Sequence, residues 1–135
     1  MSLTLFEKVT LGISGVTAVG IGGFIMLAPR AFYAGYGITL GDDPSLLSEL
    51  RAPAAGLLML GGLMLAGIWR AAMAPLAIAA TFIVFLAFPV GRLIGLAIDG
   101  VPSGGILGAW MLEIAIAALC ILAFRRRVGR TAAIS

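Results

Sequence analysis

The stretch APLAIAATFIVFLAFPVGRLIGLAI, residues 74–98, decides the fold: it is apolar throughout and its only charge is Arg92. A helix needs about 20 mostly apolar residues to cross roughly 30 Å of hydrocarbon, and this stretch is long enough. Backbone N–H and C=O groups cannot stay unpaired in lipid, and the alternation of barrel strands is absent, so the crossing is helical. Working outward, three more segments qualify: 9–27, 52–69 (bounded by Arg51 and Arg70) and 105–124, interrupted only by Glu113. The expected architecture is an all-α integral membrane four-transmembrane-helix bundle, one domain over 1–135, with a connecting loop 28–51 and a basic tail 125–135.

Composition narrows the function classes. Of the 135 residues, 61% are hydrophobic and 11% charged, and the mean hydropathy is +1.15; soluble domains carry about 25% charged residues. A water-facing globule and a disordered chain are both excluded. There is no histidine, one cysteine and six carboxylates. That set offers neither a zinc nor a haem site, so no metal and no cofactor are expected. No glycine loop ending in lysine cradles a phosphate. Gly12-Ile13-Ser14-Gly15 is no nucleophile elbow, since no histidine could activate the serine. Acid–base chemistry at Glu113 or Asp99 has no positive support, no catalytic residue is assigned, and the balance leans away from an enzyme. Cys120, in an apolar run, reads as a small buried hydrophobe.

The basic residues orient the chain. Glu7 and Lys8 precede the first segment, and Ala28-Pro29-Arg30 after it is no cleavage site, so the segment reads as a retained helix rather than a signal peptide. With four crossings both termini share a side with Arg70, and that side holds Lys8, Arg70, Arg125, Arg126, Arg127 and Arg130. The other side holds Arg30 and Arg51. The asymmetry predicts cytoplasmic termini. The arginine cluster suits anionic headgroups, not nucleic acid.

Loop 28–51 is long for a bundle. Its Phe32-Tyr33-Ala34-Gly35-Tyr36-Gly37 suits the headgroup layer, which favours an interfacial anchor over a ligand lid. Asp43 and Pro44 have the form of a helix start, from which Ser45 onward can run into the second crossing, with a bend at Pro53. Small residues recur every fourth position at Ser14, Ala18 and Gly22, at Ala52 and Gly56, and at Gly62 and Ala66. Such stripes let backbones approach closely, within the bundle first and against another chain second.

Two charges fall inside the hydrocarbon. Arg92 lies about 10 Å below the outward end of its helix and Glu113 about 12–13 Å below that of the next. The turn between them is short, so the helices are antiparallel neighbours and the charges meet at similar depth. Each alone would cost about 2.5–3.5 kcal/mol, so an ion pair, or a protonated Glu113, is expected. Glu49 and Arg51 at the start of the second helix, and Asp99 two turns beyond Arg92, extend this to a polar nest of Glu49, Arg51, Arg92, Asp99 and Glu113. Phe82, Phe85 and Phe88 line the approach at helical spacing. The opposite half shows nothing comparable. Three readings stay open: a brace that fixes helix register, a site for an anionic or amphipathic ligand with Arg92 as its fork, and a proton or ion pathway through Glu113.

The run Glu49-Leu50-Arg51-Ala52-Pro53, the segment Gly91-Arg92-Leu93-Ile94-Gly95, the turn Asp99-Gly100-Val101-Pro102-Ser103 and Glu113 together resemble a bacterial family of small four-helix inner-membrane proteins. That family is described as a domain of unknown function and is loosely akin to DoxX-like membrane proteins. The resemblance implies the four-helix topology, placement as a multi-pass protein of a bacterial-type inner (plasma) membrane, and that the marked polar positions belong together; it implies no activity. The leading expectation is a non-enzymatic module binding a protein or lipid. Its rival is binding or transport of a small anionic or amphipathic ligand through the polar cluster. Expected partners are the bilayer, a bound lipid or amphipathic molecule, and a second copy or a larger membrane complex.

Overall fold

A computed structural model describes residues 2–134. The order is α1 (Leu5–Leu27), a short α2 (Pro29–Ala34), α3 (Pro44–Trp69), a 3₁₀ turn (Ala71–Met73), α4 (Ala74–Asp99) and α5 (Gly104–Ile134). Among the described residues there is no strand. Four spans, Leu5–Leu27, Pro44–Trp69, Ala71–Asp99 and Gly104–Arg130, are long and apolar enough to cross a membrane. The architecture is therefore an all-α multi-pass bundle. One end carries the 35–43 connection and the 100–103 turn, called here the loop end; the other carries both termini.

Local chemistry sets the helix boundaries. Thr4 and Glu7 form a reciprocal capping box: Glu7 N donates to Thr4 Oγ1 at 3.2 Å and Thr4 N to Glu7 Oε1 at 2.9 Å. This starts α1 one turn earlier than the apolar run at residue 9. Asp43 caps α3 by accepting from Ser45 N at 3.1 Å, and Pro44 takes the first helical position. The expected loop 28–51 is thus mostly helical, with irregular chain only at 35–43, closed by an exposed Arg30–Asp42 pair at 2.6 Å. The expected tail 125–135 is helical as far as Ile134. Arginine and alanine favour helix, no proline stops it, and at roughly 46 Å the helix outruns the hydrocarbon. Gly100, at φ +99°, makes the left-handed turn that reverses the chain after α4.

Glycines hold α1 on α3. A Cβ on Gly22 would lie 2.7 Å from the Ala54 carbonyl oxygen and Leu58 N, and one on Gly61 would lie 2.8 Å from Val19 N. The Ser14–Ala18–Gly22 stripe is buried, Ala18 and Gly22 in this contact and Ser14 beside Cys120 of α5. The stripe expected on α3 is not the one used: Gly56 and Gly62 face open space, and the buried positions are Leu47, Ala54, Leu57, Gly61, Met64 and Gly67. Several faces of α3 carry small residues, and only the partner selects one.

From α3 the packing passes to α4 and then α5, and α1 meets α5 to close the bundle. The core of Leu11, Met64, Ala77, Phe85, Ile116, Cys120 and Phe124 fills the terminal half and the middle. In α4 every buried residue falls between Ala74 and Phe85. Outside, Val16, Met59, Ile83, Met111 and Leu122 are exposed, a girdle that lipid, not water, would solvate.

Candidate functional site

Arg92 and Glu113 meet. Arg92 Nε donates to Glu113 Oε2 at 2.8 Å and Oε1 at 3.1 Å, and Nη2 donates to Oε1 at 2.9 Å. The pair ties α4 to α5, as the matched depths require. Among the described residues no acceptor faces Nη1. The Glu113 side chain is 10% exposed and that of Arg92 28%. The pair lies in the wall of a cavity of about 570 Å³ between α1, α3, α4 and α5. A ligand pocket typically occupies about 300–1,000 Å³ and is mostly apolar with a few fixed polar groups. Here Ile21, Ile25, Leu57, Val84 and Ile106 supply apolar wall, and the charges are Glu49, Arg92 and Glu113.

Helix geometry divides the five sequence-predicted residues. Glu49 lines the cavity with Arg92 and Glu113 but makes no ion pair among the described residues. Arg51, two residues on, points elsewhere, because i and i+2 do not share a helix face. Its Nε donates to the Met26 carbonyl at 3.1 Å, and it lines a separate groove with Asp42 and Ser48. Asp99 shares the face of Arg92 but lies about 10 Å further along, exposed at the helix end and outside the cavity. Of the nest of five, three therefore line one cavity, and the contact among them is Arg92 with Glu113.

The aromatic positions also need revision. Phe32, Tyr33 and Tyr36, read as an interfacial anchor, line the cavity together with Phe85 and Phe88. They pack edge to face, Phe32 to Tyr33 at 5.2 Å and Phe32 to Tyr36 at 5.0 Å between centroids. Ser103 Oγ donates to the Tyr36 carbonyl at 2.7 Å, which latches this segment to the turn before α5. A Cβ on Gly105 would lie 2.9 Å from the Gly35 carbonyl oxygen, so only glycine admits so close an approach. Burial pushes the Tyr33 phenol above its ordinary range, keeping it a neutral hydroxyl. Phe82 leaves the approach to Arg92 and packs on Phe124 instead.

Two prolines interrupt helical hydrogen bonding in the same region. A proline has no N–H to give to the carbonyl four residues earlier. Pro53 thus removes the helical donor of the Glu49 carbonyl, and Pro89 that of the Phe85 carbonyl. Both residues line the cavity.

The half expected to be featureless holds a second ion pair. Arg127 Nε donates to Glu7 Oε2, its Nη2 donates to Glu7 Oε1 at 2.9 Å and to the Ser2 carbonyl at 2.6 Å. Glu7 is buried. Thr4 and Glu7 at capping-box spacing were a readable signal for half of this; Arg127, 120 residues away, was not. Beside it, Ser14 Oγ and Cys120 Sγ are 3.7 Å apart, and Thr10 and Thr81 donate to carbonyls of their own helices. Among the described residues no group of three or more His, Cys, Asp or Glu could hold a metal ion.

Comparison with curated proteins and with solved structures finds no match. The model of one family does match, over residues 6–124, from the first turn of α1 to the Phe124 that seals the core. That span takes in all four crossings, both ends of the Arg92–Glu113 pair and the aromatic segment beside them, and the chain belongs to the family described as a domain of unknown function (DUF4345).

Proposed function

We propose that the protein is a non-enzymatic membrane module that binds, and in a transport cycle would carry, a small amphipathic molecule in the cavity beside Arg92 and Glu113. One observation carries the reading: the pair is not packed away but forms the polar patch in the wall of a 570 Å³, largely apolar and aromatic chamber. A brace needs only the two side chains and a tight surround. A chamber beside it, with Arg92 Nη1 unengaged among the described residues, suits a molecule with a polar head and an apolar body. The basic count supports cytoplasmic termini, and the family resemblance supports a bacterial-type inner membrane.

The bidentate geometry also favours the pair as a register device between α4 and α5, and one experiment separates the two roles. Protein purified in a neutral detergent is examined by native mass spectrometry, beside Arg92→Leu/Glu113→Leu. The expected outcome is a retained small molecule on the wild type and its loss from a double variant that remains folded. A double variant that keeps the molecule at the wild-type level would leave the pair with the structural role alone.

A further inference from the structure

The cavity's charge arrangement names the class of molecule, granted the ligand reading above. An anion seeking Arg92 finds its Nε and Nη2 already engaged by Glu113. The only other lining charge is Glu49, a carboxylate without an ion-pair partner among the described residues. The formal charge of the wall is therefore one negative. Five aromatic side chains complete the lining, and ring faces attract cations, most strongly when both are out of water. An aromatic, apolar chamber whose lining charges sum to one negative fits a lipophilic organic cation.

We infer that the cavity selects amphipathic organic cations, with Glu49 as the countercharge, the aromatic rings around the apolar body and the Arg92–Glu113 pair as a neutral wall. The rest of the molecule opposes this preference, which makes it diagnostic: the chain carries a formal +3, so a non-specific electrostatic response would favour anions.

The test uses two probes of nearly the same size and shape and opposite charge, tetraphenylphosphonium and tetraphenylborate. Each is titrated against the full chain in a neutral detergent, with empty micelles as the reference for partitioning. The cation is expected to bind about tenfold more tightly than the anion. Glu49 lines the cavity and is exposed, so Glu49→Gln is expected to fold normally and to weaken the cation about two- to fivefold without weakening the anion. Equal or tighter binding of tetraphenylborate, or cation affinity unchanged in Glu49→Gln, overturns the cation selectivity and leaves a ligand cavity of another class. Binding of neither probe, with no co-purifying molecule on the wild type, overturns the ligand reading itself.

Discussion

The bundle has two ends, each crossed by one arginine–glutamate pair, and the pairs are set in opposite surroundings. At the terminal end Glu7 and Arg127 join α1 to α5, about as exposed as the loop-end pair but next to the closed packing of Leu11, Met64 and Phe124. At the loop end Arg92 and Glu113 join α4 to α5 in the wall of an open chamber. The residues explain the contrast. The terminal half of α4 is Ala77, Ile78, Ala80, Thr81 and Val84, small or branched and fully packed. Beyond Phe85 no residue of α4 is buried, while Pro53 and Pro89 interrupt helical hydrogen bonding on two of the four walls. The same ionic chemistry thus sits in closed packing at one end and in a cavity wall at the other.

The sharpest way to break this comparison is to remove one arginine at a time. Arg127→Leu leaves the Glu7 carboxylate buried without its guanidinium, and a loss of about 3–5 kcal/mol is expected. Arg92→Leu leaves Glu113 in a chamber wall with room for its side chain to relax, and about half that loss is expected. Unfolding in mixed micelles measures both; equal losses would erase the distinction between clamp and site.

Next in size are the glycines that seat α1 on α3. Gly22→Ala drives a methyl against backbone atoms of α3, which cannot rotate aside, and should cost about 1–3 kcal/mol. Gly62→Ala meets nothing within 4 Å and should be neutral or stabilising by up to about 1 kcal/mol, since alanine is the better helix former. Thermal unfolding of the two variants side by side checks the assigned faces.

The smallest expected stability effect belongs to Arg92→Leu/Glu113→Leu. Replacing both partners of an ion pair by apolar groups of similar size is often neutral, so a change below about 1 kcal/mol is expected alongside loss of the bound amphiphile. A large destabilisation with binding intact would make the loop-end pair a clamp like the other.

Particular residues show how far the sequence could be read. The Arg92–Glu113 contact was legible because a short turn joins their helices, so equal depth along the chain becomes proximity in space. Arg51 was grouped with them by depth, which ignores the angle around the helix, and Asp99 by helix face, which ignores the distance of about 10 Å that two turns span. The role of Phe32, Tyr33 and Tyr36 was hidden because it depends on how the chain between α1 and α3 folds back onto the start of α5. Glu7 announced its cap but not its ion pair.

The amino-acid order by itself settled the number of crossings, their lengths, their helical character and the two charges forced into hydrocarbon. Each of these is a quantity that runs along one dimension, fixed by apolar length and by the cost of unpaired backbone in lipid. Which faces meet, which arginine braces and which borders a chamber, and where the aromatic segment lies were decided only by tertiary structure. A helix in a bilayer is apolar all round, so its hydrophobic pattern does not distinguish the side that packs from the side that lipid solvates. That choice falls to glycines, prolines and the partners they admit.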